Sequence, residues 1–156
     1  MAYEPWDSEC ATAIIDAEAG RDGAALPILH ALQETFGHVP DEAVPLVAEA
    51  LNRSRAEVHG VVTFYHDFRR ELPGRHVLKL CRAEACQAMG GDALAVQAER
   101  RLGVGLGNTT PDGRMTIEPV YCLGLCACAP AAMLDGELVG RLDAPRLDAL
   151  LTEAQR

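Results

Sequence analysis

Apolar positions recur at helical spacing through the first half of the chain and at alternate positions through much of the second, so the sequence changes texture once. Residues 7–19, rich in Ala, Ile and Glu and stopped by Gly20, predict a first helix. Residues 26–36 predict a second, with Pro27 in its first turn and Gly37 as its stop. Ala25, Ile28, Leu29, Leu32 and Phe36 fall on one face of it. A third helix is expected over 41–52, with Val44, Val47, Ala48 and Leu51 turned inward and Pro45 near its start. Ser54-Arg55-Ala56-Glu57 has the form of a capping box, in which hydroxyl and carboxylate each satisfy an orphan backbone N–H. It opens a fourth helix carrying Val58, Val61 and Val62. Four short helices joined by tight turns predict a small bundle.

The period changes at Leu72-Pro73-Gly74, which places a domain boundary there and expected domains at 1–72 and 73–156. Residues 75–80 alternate as a half-buried strand does and deliver Cys81 at its end. Residues 92–102 read as a helix, with Leu94, Ala98 and Leu102 aligned and Gly103 as its stop. A second strand over 115–121 delivers Cys122, and Pro119 within it predicts an edge position or a bulge. Residues 131–134 and 137–139 flank Asp135-Gly136, the dipeptide a type I′ hairpin prefers because both central residues need positive φ. An amphipathic helix over 144–154, through Leu147, Leu150 and Leu151, closes the chain. The order is β-α-β-β-α with strands and helices in separate layers, and with the bundle before it the expected fold class is α+β.

Composition narrows the function. About half of the 156 residues are apolar, enough to bury the core of one domain or two small ones. No apolar stretch approaches the roughly 18 residues of a membrane span, and the first ten residues lack the basic and apolar regions of a leader. A cytosolic location without membrane insertion is therefore expected. The net charge is −9, with Lys79 the single lysine and no arginine cluster beyond pairs such as Arg69-Arg70, so nothing attracts a phosphate backbone and nucleic acid is not an expected partner. In such a setting thiols stay reduced, and six cysteines point to metal or redox chemistry rather than to a disulfide framework.

Four of the six are arranged as two jaws. Cys81 and Cys86 enclose four residues, Cys122 and Cys126 enclose three, and each pair follows a predicted strand. A two-iron rhomb needs two thiolates per iron at separations of this size, but the ligand spacings of a structural Cys₄ zinc site overlap them, so spacing leaves both open. Gly90, Gly91 and Gly124 beside the jaws would let backbone N–H groups approach bridging sulfides.

The wording around these cysteines is more specific. Cys81-Arg82-Ala83-Glu84-Ala85-Cys86, followed by Gly90-Gly91, and Cys122-Leu123-Gly124-Leu125-Cys126, followed by Ala129-Pro130, resemble the two cluster motifs of thioredoxin-like [2Fe–2S] ferredoxins, the 24-kDa-type subunits of NADH dehydrogenase and their relatives. Residues 62–68 (Val-Thr-Phe-Tyr-His-Asp-Phe) resemble the aromatic motif joining that family's helical and ferredoxin domains, and 109–113 resemble the loop before its second strand. The similarity runs from about Leu26 to Leu142 and is nearest in wording to the gamma subunits of NAD-dependent, molybdenum-containing formate dehydrogenases. The resemblance implies a helical N-terminal domain, then a thioredoxin-like [2Fe–2S] ferredoxin domain with one cluster on Cys81, Cys86, Cys122 and Cys126. It implies an electron relay with no catalytic residue or substrate site of its own, beside a partner subunit that holds FMN and NAD. Equivalent subunits of NADH-quinone oxidoreductase or of an NAD-reducing hydrogenase are the alternatives within the family. A zinc-stabilised interaction module, or a thiol–disulfide enzyme using Cys126 and Cys128, would belong to other classes, and the latter lacks the usual Cys-x-x-Cys.

The remaining features have plainer readings. Cys128 is expected to be a buried non-ligand thiol, and Cys10 to pack on the first helix. Gly103-Val104-Gly105-Leu106-Gly107 looks like a phosphate loop but follows a helix, where the dinucleotide fingerprint follows a strand. The five histidines show no spacing that pairs them with the cysteines. Phe64, Tyr65 and Phe68 are expected to be buried between the two domains, as aromatic side chains dominate cores and interfaces alike.

Overall fold

A computed structural model describes residues 3–154; the outermost positions of the two expected domains, 1–2 and 155–156, lie outside the described residues. The chain divides into two compact units, one ending at Leu72 and the other beginning at Pro73.

The first unit is a bundle of four helices, α1 (Ser8–Glu18), α2 (Ala25–Phe36), α3 (Ala43–Ala50) and α4 (Arg55–Phe64). Its ends follow from local chemistry. The Asp7 carboxylate caps α1 by accepting from Cys10 N at 2.7 Å, and α2 stops at Gly37 in the left-handed region, φ 78°. Helix α3 begins two residues later than expected because Pro45 must sit in its first turn, where a missing N–H costs nothing. The capping box of α4 is formed in full: Ser54 N donates to Glu57 Oε2 at 2.9 Å, and Glu57 N donates to Ser54 Oγ at 3.2 Å. Ile28, Leu32 and Phe36 of α2 pack against Ala11 and Ile15 of α1 and Val44 and Val47 of α3.

Local expectations fail at Cys10, Phe64 and Tyr65, the last being 43% exposed. Cys10 is exposed on α1. Phe68 is buried within the bundle's own cluster with Leu29, Val39 and Val62, whereas Phe64, at the last position of α4, is 72% exposed. Phe64 lies off the helix face that carries Val58, Val61 and Val62, and beyond it the helix ends, so periodicity carries no information about Tyr65 and Phe68.

The second unit is one five-stranded sheet in the order β2-β3-β1-β4-β5, formed by β1 (His76–Cys81), β2 (Asn108–Thr109), β3 (Met115–Val120), β4 (Ala132–Leu134) and β5 (Glu137–Val139). Strands β1 and β3 run parallel, and every other pairing is antiparallel. Helices α6 (Gly91–Leu102) and α7 (Ala144–Ala154) supply Leu94, Ala95, Ala98, Leu147 and Leu151 to a core with Leu78, Leu80, Met115 and Ile117 of the two central strands. The fold is thioredoxin-like α+β. A two-residue β2 and the five-residue helix α5 (Glu84–Ala88) are additions to the expected order, both too short for a periodic signal.

Pro119 is not on an outer strand, because β3 lies between β1 and β2. Strand β2 reaches only Thr116 and Ile117, so β3 is bare on that side at Pro119 and the absent N–H breaks no ladder. The hairpin forms as its dipeptide requires, with φ of 50° at Asp135 and 93° at Gly136. Asp135 also accepts from Val77 N at 2.8 Å and contacts His76 Nδ1 at 2.6 Å, which ties the turn to the start of β1.

Candidate metal centre

Parallel pairing of β1 with β3 aligns the two strand ends. Cys81 stands opposite Val120, and Arg82 N continues the ladder by donating to Val120 O at 2.8 Å. Beyond that point both chains leave the sheet on the same side, β1 into α5 and β3 into the turn that opens at Cys122. Cys81 and Cys86 are buried, 4% and 2% exposed, and cluster with Ala131; Cys122 and Cys126 are exposed. One jaw is therefore embedded and the other faces solvent.

The exposed jaw has metal-binding geometry. Cys122 Sγ and Cys126 Sγ lie 3.6 Å apart. Two sulfurs sharing one tetrahedral ion, with bonds of about 2.3 Å, lie roughly 3.8 Å apart. The turn is shaped for it: Cys122 has φ of 94°, a conformation side chains other than glycine seldom adopt, and Gly124 N donates to Cys122 Sγ at 3.4 Å.

The thiols also sense one another. Burial pushes Cys81 up, but N–H groups of Ala83, Cys122 and Leu123 and the Cys86 thiol outweigh it and bring Cys81 below the ordinary thiol range. Burial, then contact with Cys81, holds Cys86 above that range, with Cys126 adding repulsion. Cys126 is raised mainly by Cys122, with Cys81 contributing. Two strand-end loops thus bring Cys81, Cys86 and Cys126 into mutual electrostatic range, with Cys122 paired to Cys126. A metal taking the place of the thiol protons would offset the repulsion between the thiolates. Among the described residues no three or more of His, Cys, Asp and Glu converge on a single-ion site; the thiols meet as pairs.

The other sequence features fall elsewhere. Cys128 ends the 3₁₀ turn Cys126–Cys128 and is half-buried; its Cβ lies 2.9 Å from where a Cβ on Gly140 would stand, so it packs against the chain leaving β5. Gly91 has a packing role not foreseen from its motif: a Cβ there would sit 2.6 Å from Cys86 O, so only glycine lets α6 start against the Cys86 turn. Among the contacts described, His76 meets Asp135, His30 stacks on Phe68, and His38 Nδ1 meets Phe36 O at 3.0 Å. The 103–107 loop joins α6 to β2, so it leaves a helix, and Leu106 N donates to Glu99 Oε1 at 3.0 Å. Sequence reasoning missed the backbone groups of Ala83, Cys122 and Leu123 that lower the Cys81 thiol and the ion pair of Arg82 with Asp92. Backbone donors leave no residue-type signature, and Arg82–Asp92 was visible only as two charges ten positions apart.

A thioredoxin-like sheet whose parallel strand ends carry paired thiols offers the donor chemistry that a metal–sulfur group takes. The chain belongs to the thioredoxin-like [2Fe–2S] ferredoxin family, which it matches over residues 11–155. It is 40% identical over 117 residues to an NADH-quinone oxidoreductase subunit of Pseudomonas aeruginosa, covering 75% of this chain and 70% of that protein. It is 31% identical over 139 residues to the NADP-reducing hydrogenase subunit HndA of Solidesulfovibrio fructosivorans, covering 89% and 81%. Among solved structures it is similar to a chain of an NAD⁺-reducing [NiFe]-hydrogenase in the air-oxidized state, with a TM-score of 0.69, 28% identity, and coverage of 81% of this chain but 22% of that one. The group this family carries is one [2Fe–2S] cluster. Among the described residues no helix is long and apolar enough to cross a membrane.

Proposed function

We propose that this chain is the electron-relay subunit of a cytoplasmic, NAD-linked oxidoreductase and holds its [2Fe–2S] cluster on Cys81, Cys86, Cys122 and Cys126. The observation that carries the reading is the pairing of thiols on two loops at neighbouring parallel strand ends, with Cys122 and Cys126 3.6 Å apart. When bound, the cluster supplies a one-electron couple. The chain's own residues do the rest. Buried Cys81 and Cys86 would hold one iron and exposed Cys122 and Cys126 the other. The N–H groups of Ala83, Cys122 and Leu123 stabilise negative charge on the Cys81 sulfur. A partner subunit holds FMN and NAD and performs the hydride chemistry, and no substrate site is assigned to this chain.

Within this class we favour the gamma subunit of an NAD-dependent formate dehydrogenase, on the wording of its cysteine motifs and of residues 62–68 and 109–113 taken together. The names of the relatives support the equivalent subunit of an NADH-quinone oxidoreductase or of a hydrogenase.

Purified without oxygen, the chain should be red-brown, contain iron and sulfide in equal amounts, and give an EPR signal on reduction. Replacing any one of the four cysteines by serine should lower cluster content or alter that signal; a variant indistinguishable from the parent removes its cysteine from the ligand set. The native complex should reduce NAD with formate, and reduction with hydrogen but not formate would overturn the finer assignment.

A further inference from the structure

The first residue after Cys81 carries a charge that the relay reading leaves unused. Arg82 N is fixed to Val120 O at 2.8 Å, and its carbonyl accepts from Gln87 Nε2 at 3.1 Å across the Cys81–Cys86 turn. Its guanidinium reaches Asp92 in the first turn of α6, with Nε at 3.2 Å and Nη2 at 3.0 Å from the same Oδ1. The Arg82 side chain is 26% exposed and that of Asp92 is 58% exposed, so the cation, on the residue next to Cys81, is the more enclosed member of the pair. Helix α6 is itself seated on that jaw, because Gly91 lets it start against Cys86 O.

We propose that Arg82, held by Asp92, is a positioning residue that sets the positive charge beside Cys81 and thereby raises the reduction potential of the two-iron centre. The inference rests on the assignment of Cys81 and Cys86 as ligands. Reduction adds one negative charge to the centre, so a fixed cation nearby favours the reduced form and a fixed anion disfavours it. The two members of the pair therefore act with opposite sign, which distinguishes an electrostatic role from a purely structural clasp.

The test is a mediated dithionite titration of the intact, cluster-loaded chain followed by EPR. Arg82→Gln should shift the midpoint downward, Asp92→Asn should shift it upward, and Arg82→Lys, which keeps the charge but loses the forked contact, should stay near the parent. Asp92→Asn is a near-isosteric change at an exposed position, so it decides the matter by itself if Arg82→Gln loads poorly. Midpoints that do not move, or that move in the same direction for Arg82→Gln and Asp92→Asn, overturn the inference while leaving the cluster assignment intact. Cluster content and an EPR signal both unchanged when Cys81 and Cys86 are each replaced by serine overturn both.

Discussion

Cys81 stands opposite Val120 in the parallel ladder of β1 and β3, two residues before Cys122. Register therefore brings the jaws together, and the same pleat that points Leu78 and Leu80 into the helix-covered core sets the strand's exit at Cys81. A slip of one residue would exchange the two faces and separate the loops.

Two glycine substitutions should have opposite signs. At Gly91 a methyl group would stand 2.6 Å from Cys86 O, a backbone atom with no room to yield, so Gly91→Ala should destabilise the ferredoxin unit and lower cluster content. At Gly60, inside α4 with nothing within 4 Å, alanine should stabilise the helical unit by about 0.5–1 kcal/mol through helix propensity. Thermal unfolding and iron analysis of the two variants check this pair.

The conformation of Cys122 is separable from its sulfur. With φ at 94° it adopts a backbone that glycine enters freely and alanine does not. In the iron-free chain Cys122→Gly should therefore be more stable than Cys122→Ala by about 1 kcal/mol, although both lose the ligand. Equal denaturation midpoints would show that the turn carries no strain.

The capping box makes a pH-dependent contribution. Hydrogen bonds to Glu57 from the Ser54 backbone, then from its hydroxyl, hold the Glu57 carboxyl below its ordinary value of 4.5, with Arg53 assisting. A carboxylate whose pKa is depressed on folding stabilises the fold above its unfolded value, and that contribution is lost as pH falls through the folded one. Glu57→Ala should thus cost stability at pH 7, and its gap from the parent should narrow as the pH drops below 4.5. Ser54→Ala should cost about 1 kcal/mol. Circular dichroism melts at neutral and acid pH give both comparisons.

How much was legible follows from the range of the interactions concerned. The helix ends at Asp7, Gly37, Ser54 and Gly103 and the turn at Asp135-Gly136 depend on residues within four positions of one another, so their chemistry is written locally. The strands ending at Cys81 and near Cys122 were also readable, from alternation alone. Strand β2 was not, since two residues have no period and owe their pairing to Thr116 and Ile117.

The sequence by itself determined the longer helices and strands, though not α5 or β2, and which cysteines stand at strand ends. Tertiary structure decided what surrounds those cysteines. It made β1 and β3 parallel neighbours, turned Cys122 into a left-handed backbone, brought its sulfur to Cys126, and joined Arg82 to Asp92. It also buried Phe68 while leaving Phe64 and Cys10 exposed. Each of these depends on contacts between segments distant along the chain, and residue order encodes those only through the packing of the whole core.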